Sequence, residues 1–253
     1  MSKPLLLPAA LACAALSLAA LPAPASAQAR PVASPRIETA SFDGVTYAWS
    51  ILPRDWRVAV RRPIRSGRLA GIAANLRCGG IAMTGGYSRY DDRGKLVPND
   101  LVVMNGRTVS ARNGRRDGGF LILGSGHERI VRTRDLPPTR AIGGDAIQST
   151  PILVLDGAVD LPLADERRSN RIAFGRLRDG RRVMIAAYDR HPGASSAVTL
   201  RGFAERSLQI LGGRLDWLMN FDGGPSVFLA TRGRTIVPAP GEITTYLCAE
   251  PAR

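Results

Sequence analysis

From residue 45 onward the chain is a succession of short apolar runs cut by Gly, Pro, Asn and Asp. The runs fall at 45–51, 56–60, 80–83, 101–104, 120–123, 152–155, 183–187, 215–221, 226–230 and 243–248. Each is short for a helix and rich in β-branched, aromatic or other apolar residues, which is the signature of a strand. Asn105-Gly106, Asn113-Gly114, Asp156-Gly157 and Asp179-Gly180 stand beside these runs. Such dipeptides accept the left-handed backbone of tight turns and mark reversals of the chain.

Two stretches follow a helical period instead. In 67–76 (GRLAGIAANL), Leu69, Ile72, Ala73 and Leu76 share one face. In 199–211 (TLRGFAERSLQIL), Leu200, Phe203, Ala204, Ser207, Leu208 and Leu211 form a stripe. Thr199 suits the N-cap, and Gly212-Gly213 gives a stop signal. That stripe predicts a core-facing helix. No break in composition and no internal repeat divides 41–253. The expected fold class is therefore α+β, a single domain with a mixed, mostly antiparallel β core packed with a few helices.

The N-terminal pattern is different. Lys3 precedes an almost wholly apolar stretch over 5–20, and Ala25-Ser26-Ala27 has the small-x-small form that signal peptidase accepts. These features predict a signal peptide at 1–27 with cleavage before Gln28. Pro8, Pro22 and the alanine-rich composition argue against a permanent anchor. Residues 28–40 (QARPVASPRIETA) read as a linker, and 41–253 as the domain. No second apolar stretch approaches membrane length, so no span is expected after cleavage. A periplasmic or secreted location follows from this reading.

Charge and cysteine content sharpen the picture. The formal net charge is +14, and arginine supplies every basic residue except Lys3 and Lys95. A basic balance raises nucleic acid as a partner. Export and the scatter of the arginines along the chain argue against it. The charge instead suits a solvated surface on which a few arginines attract anionic envelope glycans. After cleavage two cysteines remain, Cys78 and Cys248. They form either a disulfide or two buried thiols, and an oxidising compartment favours the disulfide.

Several chemistries drop out. The two histidines, His127 and His191, lack metal-ligand spacing, and two distant cysteines make no zinc site. There is no Gly-x-Ser-x-Gly elbow and no P-loop. No metal site and no cofactor are expected. Four places carry the remaining candidates. Thr84-Gly85-Gly86-Tyr87 ends an apolar run in a glycine tip with an aromatic. Asp145, Gln148 and Ser149 lead polar groups into the next run, beginning at Pro151. Arg171 opens the segment RIAFG. Asn220, Asp222, Gly223, Gly224 and Ser226 form the tip NFDGGPS.

Strand alternation puts Asp222 on the face shared by Asn220 and Leu218. A buried carboxylate there costs roughly several kcal/mol unless it is paired, and Arg171 is a natural partner. The main-chain N–H groups of Gly223, Gly224 and Ser226 offer an anion-binding nest.

In this order the four motifs resemble the phosphodiester glycosidase family, also called the NAGPA domain. Family members typically show an Asn-Gly/Ala-Gly-Phe strand end, a Gln-Ser-Gly-Pro run with an Asp-Gly turn, and an Arg-Thr-Ala-Ile-Gly-like segment. A Thr-Leu-x-Glu-Leu helix and a Leu-Asp-Gly-Gly-x-Ser tip follow. Here Gln148-Ser149-Thr150-Pro151 with Asp156-Gly157, the RIAFG segment from Arg171, 199–213 and 220–226 stand in those places. Thr84 stands at the family's asparagine, Thr150 at a glycine, and Tyr87-Ser88 at a Phe-Phe or Met-Phe pair.

The resemblance implies hydrolysis of a sugar-1-phosphodiester bond in an envelope or exopolysaccharide glycan, with an anionic or phosphodiester-containing glycan as partner. It implies Asp222 as a catalytic carboxylate, with Asp145, Asp156 or Glu242 as the second. Arg171 would neutralise the phosphate. Thr84 and Gln148 would bind sugar hydroxyls or phosphate oxygens, and Gly223 with Gly224 would present backbone donors. The alternative is a non-catalytic protein on the same fold that binds anionic glycan or phosphate. A third reading, a basic structural protein held to envelope polymers by charge alone, leaves the ordered motifs unexplained.

Overall fold

The computed structural model describes residues 35–64, 76–114, 118–124, 128–135, 138, 142–161, 167–189, 197–231, 234–237 and 242–252. The first strands are β1 (Glu38–Phe42), β2 (Val45–Ile51) and β3 (Trp56–Arg61). Next come β4 (Ile81–Thr84), β5 (Ser88–Tyr90), β6 (Leu96–Pro98), β7 (Val102–Met104), β8 (Arg107–Ser110), β9 (Gly119–Leu123) and β10 (Glu128–Arg132). Then follow β11 (Asp145–Ser149), β12 (Ile152–Leu155), β13 (Ala158–Val159), β14 (Arg171–Leu177) and β15 (Arg182–Tyr188). Helix α1 (Leu200–Ile210) precedes β16 (Leu215–Asn220), β17 (Leu229–Thr231), β18 (Arg234–Val237) and β19 (Tyr246–Pro251).

Among the described residues these strands form three sheets and one hairpin. The largest sheet has the order β1-β2-β15-β14-β16-β12-β13, and two five-stranded sheets run β10-β9-β11-β7-β8 and β18-β17-β4-β19-β3. Strands β5 and β6 pair with each other. Every ladder among the described residues is antiparallel. The β core is therefore antiparallel and not mixed, and α1 is the one α-helix among the described residues. The helix expected at 67–76 lies outside them except for Leu76, as do the signal peptide and most of the linker.

Alternation of side chains explains how one sheet serves two cores. Ile172, Phe174, Met184, Ala186, Trp217 and Met219 point from the large sheet into a central core shared with β3, β4, β9 and β19. Their neighbours Ala173, Val183, Ile185, Ala187 and Leu218 point the other way, against Phe203, Ala204 and Leu211 of the helical segment. Strands buried on both faces read as continuous apolar runs, as these do. The 11-residue helix gains most of its stability from that packing. Its N-cap is Thr199, whose hydroxyl accepts from Gly202 N at 3.1 Å. It ends where Gly212 and Gly213 take φ of 61° and 67°, and Gly213 N reaches back to Leu208 O at 2.8 Å.

The N-terminal boundary differs from expectation. Residues 38–40, expected in the linker, belong to β1, which pairs with β2 from Glu38↔Trp49 to Phe42↔Val45. The strand is mostly exposed, so backbone pairing holds it and apolar burial contributes little. That kind of strand carries no hydrophobic signal. The described residues form one compact unit. Cys78 and Cys248 are joined, with their sulfurs 2.11 Å apart, and link the approach to β4 with β19.

Candidate active site

The functional motifs meet at the ends of β4, β11 and β16 and at the start of β14. Strand β4 ends at Thr84, which is fully buried and donates its hydroxyl to the Ser226 carbonyl. Gly85 then donates to Thr245 O at 3.0 Å and accepts from Asp222 N at 3.1 Å. A Cβ on Gly85 would lie 2.5 Å from Thr245 Oγ1 and 2.8 Å from the Thr245 backbone. Only glycine allows that approach. Gly86 N donates to Thr245 Oγ1 at 3.1 Å.

Strand β11 meets this tip from the side. Tyr87 donates its phenol to Thr150 O at 2.8 Å. The side-chain amide of Asn220, at the end of β16, donates to that same carbonyl and to Tyr87 Oη, both at 2.8 Å. Three distant segments are thus joined beneath the NFDGGPS tip. The tip itself is set against the residues before β14. Gly224 N donates to Asn170 O at 2.8 Å, and a Cβ on Gly223 would lie 2.7 Å from that oxygen.

A cleft of about 480 Å³ opens above this floor. Asp222, Gly223, Gly224 and Ser226 line it together with Arg167, Ser169 and Arg171. Glu242 lines it as well, with Tyr87, Ser88 and Tyr90. Arg171 is 9% exposed, and its guanidinium is positioned by donation from Nε to Val198 O at 3.3 Å and from Nη2 to Arg167 O at 2.6 Å.

Asp222 is half-buried, and burial pushes its carboxyl up to about 7. Hydrogen bonds from the Ser226 hydroxyl and the Gly223 amide pull the other way, and the negative charge of Asp100 adds to the rise. A group so placed exchanges protons near neutrality. Asp100 is 3% exposed and carries no motif that sequence reading would single out. Glu242 accepts from Tyr90 Oη at 3.3 Å, and its main-chain carbonyl accepts from Ser226 Oγ at 3.5 Å.

Of the residues expected in the site, Asp222, Arg171, Gly223, Gly224 and Ser226 line the cleft. Thr84, Gly85, Gly86 and Asn220 lie under its floor, where they shape the tip. Gln148 is 2% exposed and has a different task. Its Oε1 accepts from Leu101 N at 3.2 Å and Asn113 N at 3.0 Å, and its Nε2 donates to Asn113 O at 2.7 Å. The amide closes a backbone gap between two loops in place of contacting ligand. Ser149 is buried beside it.

Asp145 is placed at the far end of β11 from Ser149. Its two oxygens accept from Val60 N at 2.8 Å and Asn105 N at 2.6 Å, so it pins β3 and the β7–β8 turn. It does not line the cleft, and the acidic residue that lines it together with Asp222 is Glu242. Asp156 occupies the β12–β13 turn with φ of 51°. The nest expected at the tip is also corrected. Gly224 N serves Asn170 O, Ser226 N serves Gly223 O at 3.1 Å, and Gly223 N serves the Asp222 carboxyl. These donors hold the tip together, and the positive side chains that line the cleft beside it belong to Arg167 and Arg171.

Sequence reading passed over Arg167, Ser169, Tyr90 and Leu96. Ser169 and Arg167 were visible as neighbours of Arg171, and Ser88 and Tyr90 as alternate residues of one strand. Among the described residues, potential metal-ligating groups gather at Cys78, Cys248 and Glu250, where both sulfurs are engaged in the disulfide.

A model of the phosphodiester glycosidase family matches residues 79–246, more than half of the chain. The fold is shared with the catalytic domain of zebrafish N-acetylglucosamine-1-phosphodiester alpha-N-acetylglucosaminidase, with a TM-score of 0.61 and 17% identity over 85% of this chain and 81% of that one. A protein of Synechocystis gives 0.57 and 13%, with 85% of this chain aligned to 61% of that longer one. A protein of Burkholderia pseudomallei gives 0.57 and 12%, covering 82% and 74%. No curated protein sequence matches this one. Identities this low speak to the fold alone, and it is the family match across the site-bearing strands that decides membership: the chain belongs to the phosphodiester glycosidase family.

Proposed function

We propose that this protein hydrolyses a sugar-1-phosphodiester, breaking the bond between the anomeric carbon and the phosphate oxygen. One observation carries the reading. The Asp222 carboxyl, with its pKa at about 7, shares a cleft with the guanidinium groups of Arg167 and Arg171. Such a carboxyl holds and releases a proton at neutral pH. The arginines attract the phosphodiester and stabilise the charge that gathers on it as it leaves. Water adds to the anomeric carbon, its proton is taken up at a carboxylate, and a phosphomonoester departs. Glu242 supplies the second carboxyl group that a glycosidase uses.

Export is part of the same proposal. The N-terminal pattern of 1–27 and the Cys78–Cys248 disulfide support a periplasmic or secreted enzyme acting on an envelope or exopolysaccharide glycan. The domain then runs from β1 onward.

The test is release of free sugar from a panel of sugar-1-phosphodiesters. Asp222→Asn and Arg171→Ala should each lower turnover by about a hundredfold or more. Full turnover by Asp222→Asn would sink the role given to it. A second reading, a non-catalytic binder of anionic glycan, is favoured by Thr84 at the family's asparagine and by the engagement of the tip amides within the fold. It expects saturable glycan binding and no product from any member of the panel.

A further inference from the structure

The β5–β6 hairpin carries an apolar wall of the cleft. Across it Tyr90 pairs with Leu96, and Ser88 with Pro98. Directly paired residues of an antiparallel ladder, and residues two apart on one strand, share a face. Ser88, Tyr90 and Leu96 all line the cleft, so this face looks into it. Tyr90 is 63% exposed and is the one exposed aromatic side chain among the described residues. A large exposed ring in a concave site marks a binding surface.

The hairpin is held in place at its base and near its tip. Ser88 Oγ lies 2.9 Å from Thr244 Oγ1, and Asn99 N donates to Tyr87 O at 2.8 Å. Tyr90 Oη donates to Glu242 Oε2 at 3.3 Å. The ring therefore stands against a carboxylate that belongs to the same cleft. A pyranose has a face of C–H groups bordered by hydroxyls. Its complement is a flat apolar surface with a hydrogen-bond acceptor at the rim, and Tyr90, Leu96 and Glu242 provide both parts.

We propose that Tyr90, with Leu96 beside it and Glu242 at its edge, is a platform for a pyranose ring, and that the Arg167–Arg171 wall takes the charged portion of the same ligand. The substrate named under the hydrolase reading supplies the ligand's class, but the platform is testable without turnover. Saturation-transfer NMR on the full chain would use methyl glucoside, galactoside, mannoside and N-acetylglucosaminide as probes. Inorganic phosphate would be titrated in parallel.

The expected result is transfer to the ring protons of at least one glycoside, weakened about tenfold or more by Tyr90→Ala. Tyr90→Phe and Tyr90→Trp should retain it, since the ring and not the hydroxyl makes the surface. Phosphate affinity should be the same in all four proteins. Absence of transfer from every probe, or equal transfer in Tyr90→Ala, overturns the platform. Glycoside binding without hydrolysis of any phosphodiester would instead overturn the hydrolase reading and leave the platform standing.

Discussion

The main-chain N–H of Asp222 donates to the carbonyl oxygen of Gly85 at 3.1 Å, so the tip of β16 hangs from the tip of β4. Gly85 is itself pressed against Thr245, where a Cβ would sit 2.5 Å from Oγ1. Gly85→Ala should cost about 1–3 kcal/mol of stability through overpacking and lower turnover further by displacing Asp222. Gly143→Ala, with nothing within 4 Å of the added Cβ, is the control. Urea unfolding of both variants checks this, and equal midpoints would contradict it.

The Asp222 carboxyl should make stability fall with rising pH. Its unfolded value is 3.8 and its folded value about 7. Below both, the two states carry the same proton. Between them the folded protein keeps a proton that the unfolded chain has released, so stability declines as pH climbs through this window and levels off above it. Asp222→Asn removes the effect. At pH 8 it should exceed the parent by roughly 1–2 kcal/mol, allowing for solvent screening of a half-buried group. At pH 4 the two should match. A variant weaker than the parent at pH 8 argues against the assignment.

Gln148→Ala and Arg171→Ala should separate stability from function. Removing the Gln148 amide strips acceptors from Leu101 N and Asn113 N, at about 1–3 kcal/mol. The cleft lining is untouched, so KM should stay within about twofold at temperatures where the variant is folded. Arg171→Ala should act chiefly on turnover and KM. Matching kinetic defects in the two variants would refute the division.

Replacing both Cys78 and Cys248 with alanine should lower stability by about 3–5 kcal/mol, because the crosslink closes a loop spanning 170 residues. Thermal unfolding of the parent with and without reductant should show the same loss. A midpoint indifferent to reductant would run against it.

The sequence made the apolar framework easy to see and its polar members hard to place. Runs such as VTYAWSI and LDWLMN, and the capped stripe after Thr199, declare themselves through periodicity. Strands β11 and β14 did not, since DAIQS and RIAFGRL begin with charged residues whose burial is offset by particular long-range hydrogen bonds. Asp145 and Gln148 looked like site residues for the same reason. A buried polar side chain serving backbone 40 or 85 residues away has the sequence appearance of a catalytic one. Asp222 was legible because the glycines after it are demanded by the backbone, Gly223 by the nearness of Asn170 O and Gly224 by a φ of 59°, and both left their mark in the motif. Glu242 stood among three candidate carboxylates that the sequence could not rank, and Tyr90 carried no signal of its own, because both reach the cleft only through tertiary placement.

Strand β19 lies between β3 and β4, pairing Cys248 with both Ala59 and Ala82. During synthesis these two earlier strands cannot complete their sheet until residues 246–251 have emerged. Thr245, which holds Gly85 and Gly86, arrives at the same moment. The floor of the cleft therefore waits on β19: until Thr245 and the strand after it dock between β3 and β4, Gly85 and Gly86 lack the contacts that fix the tip.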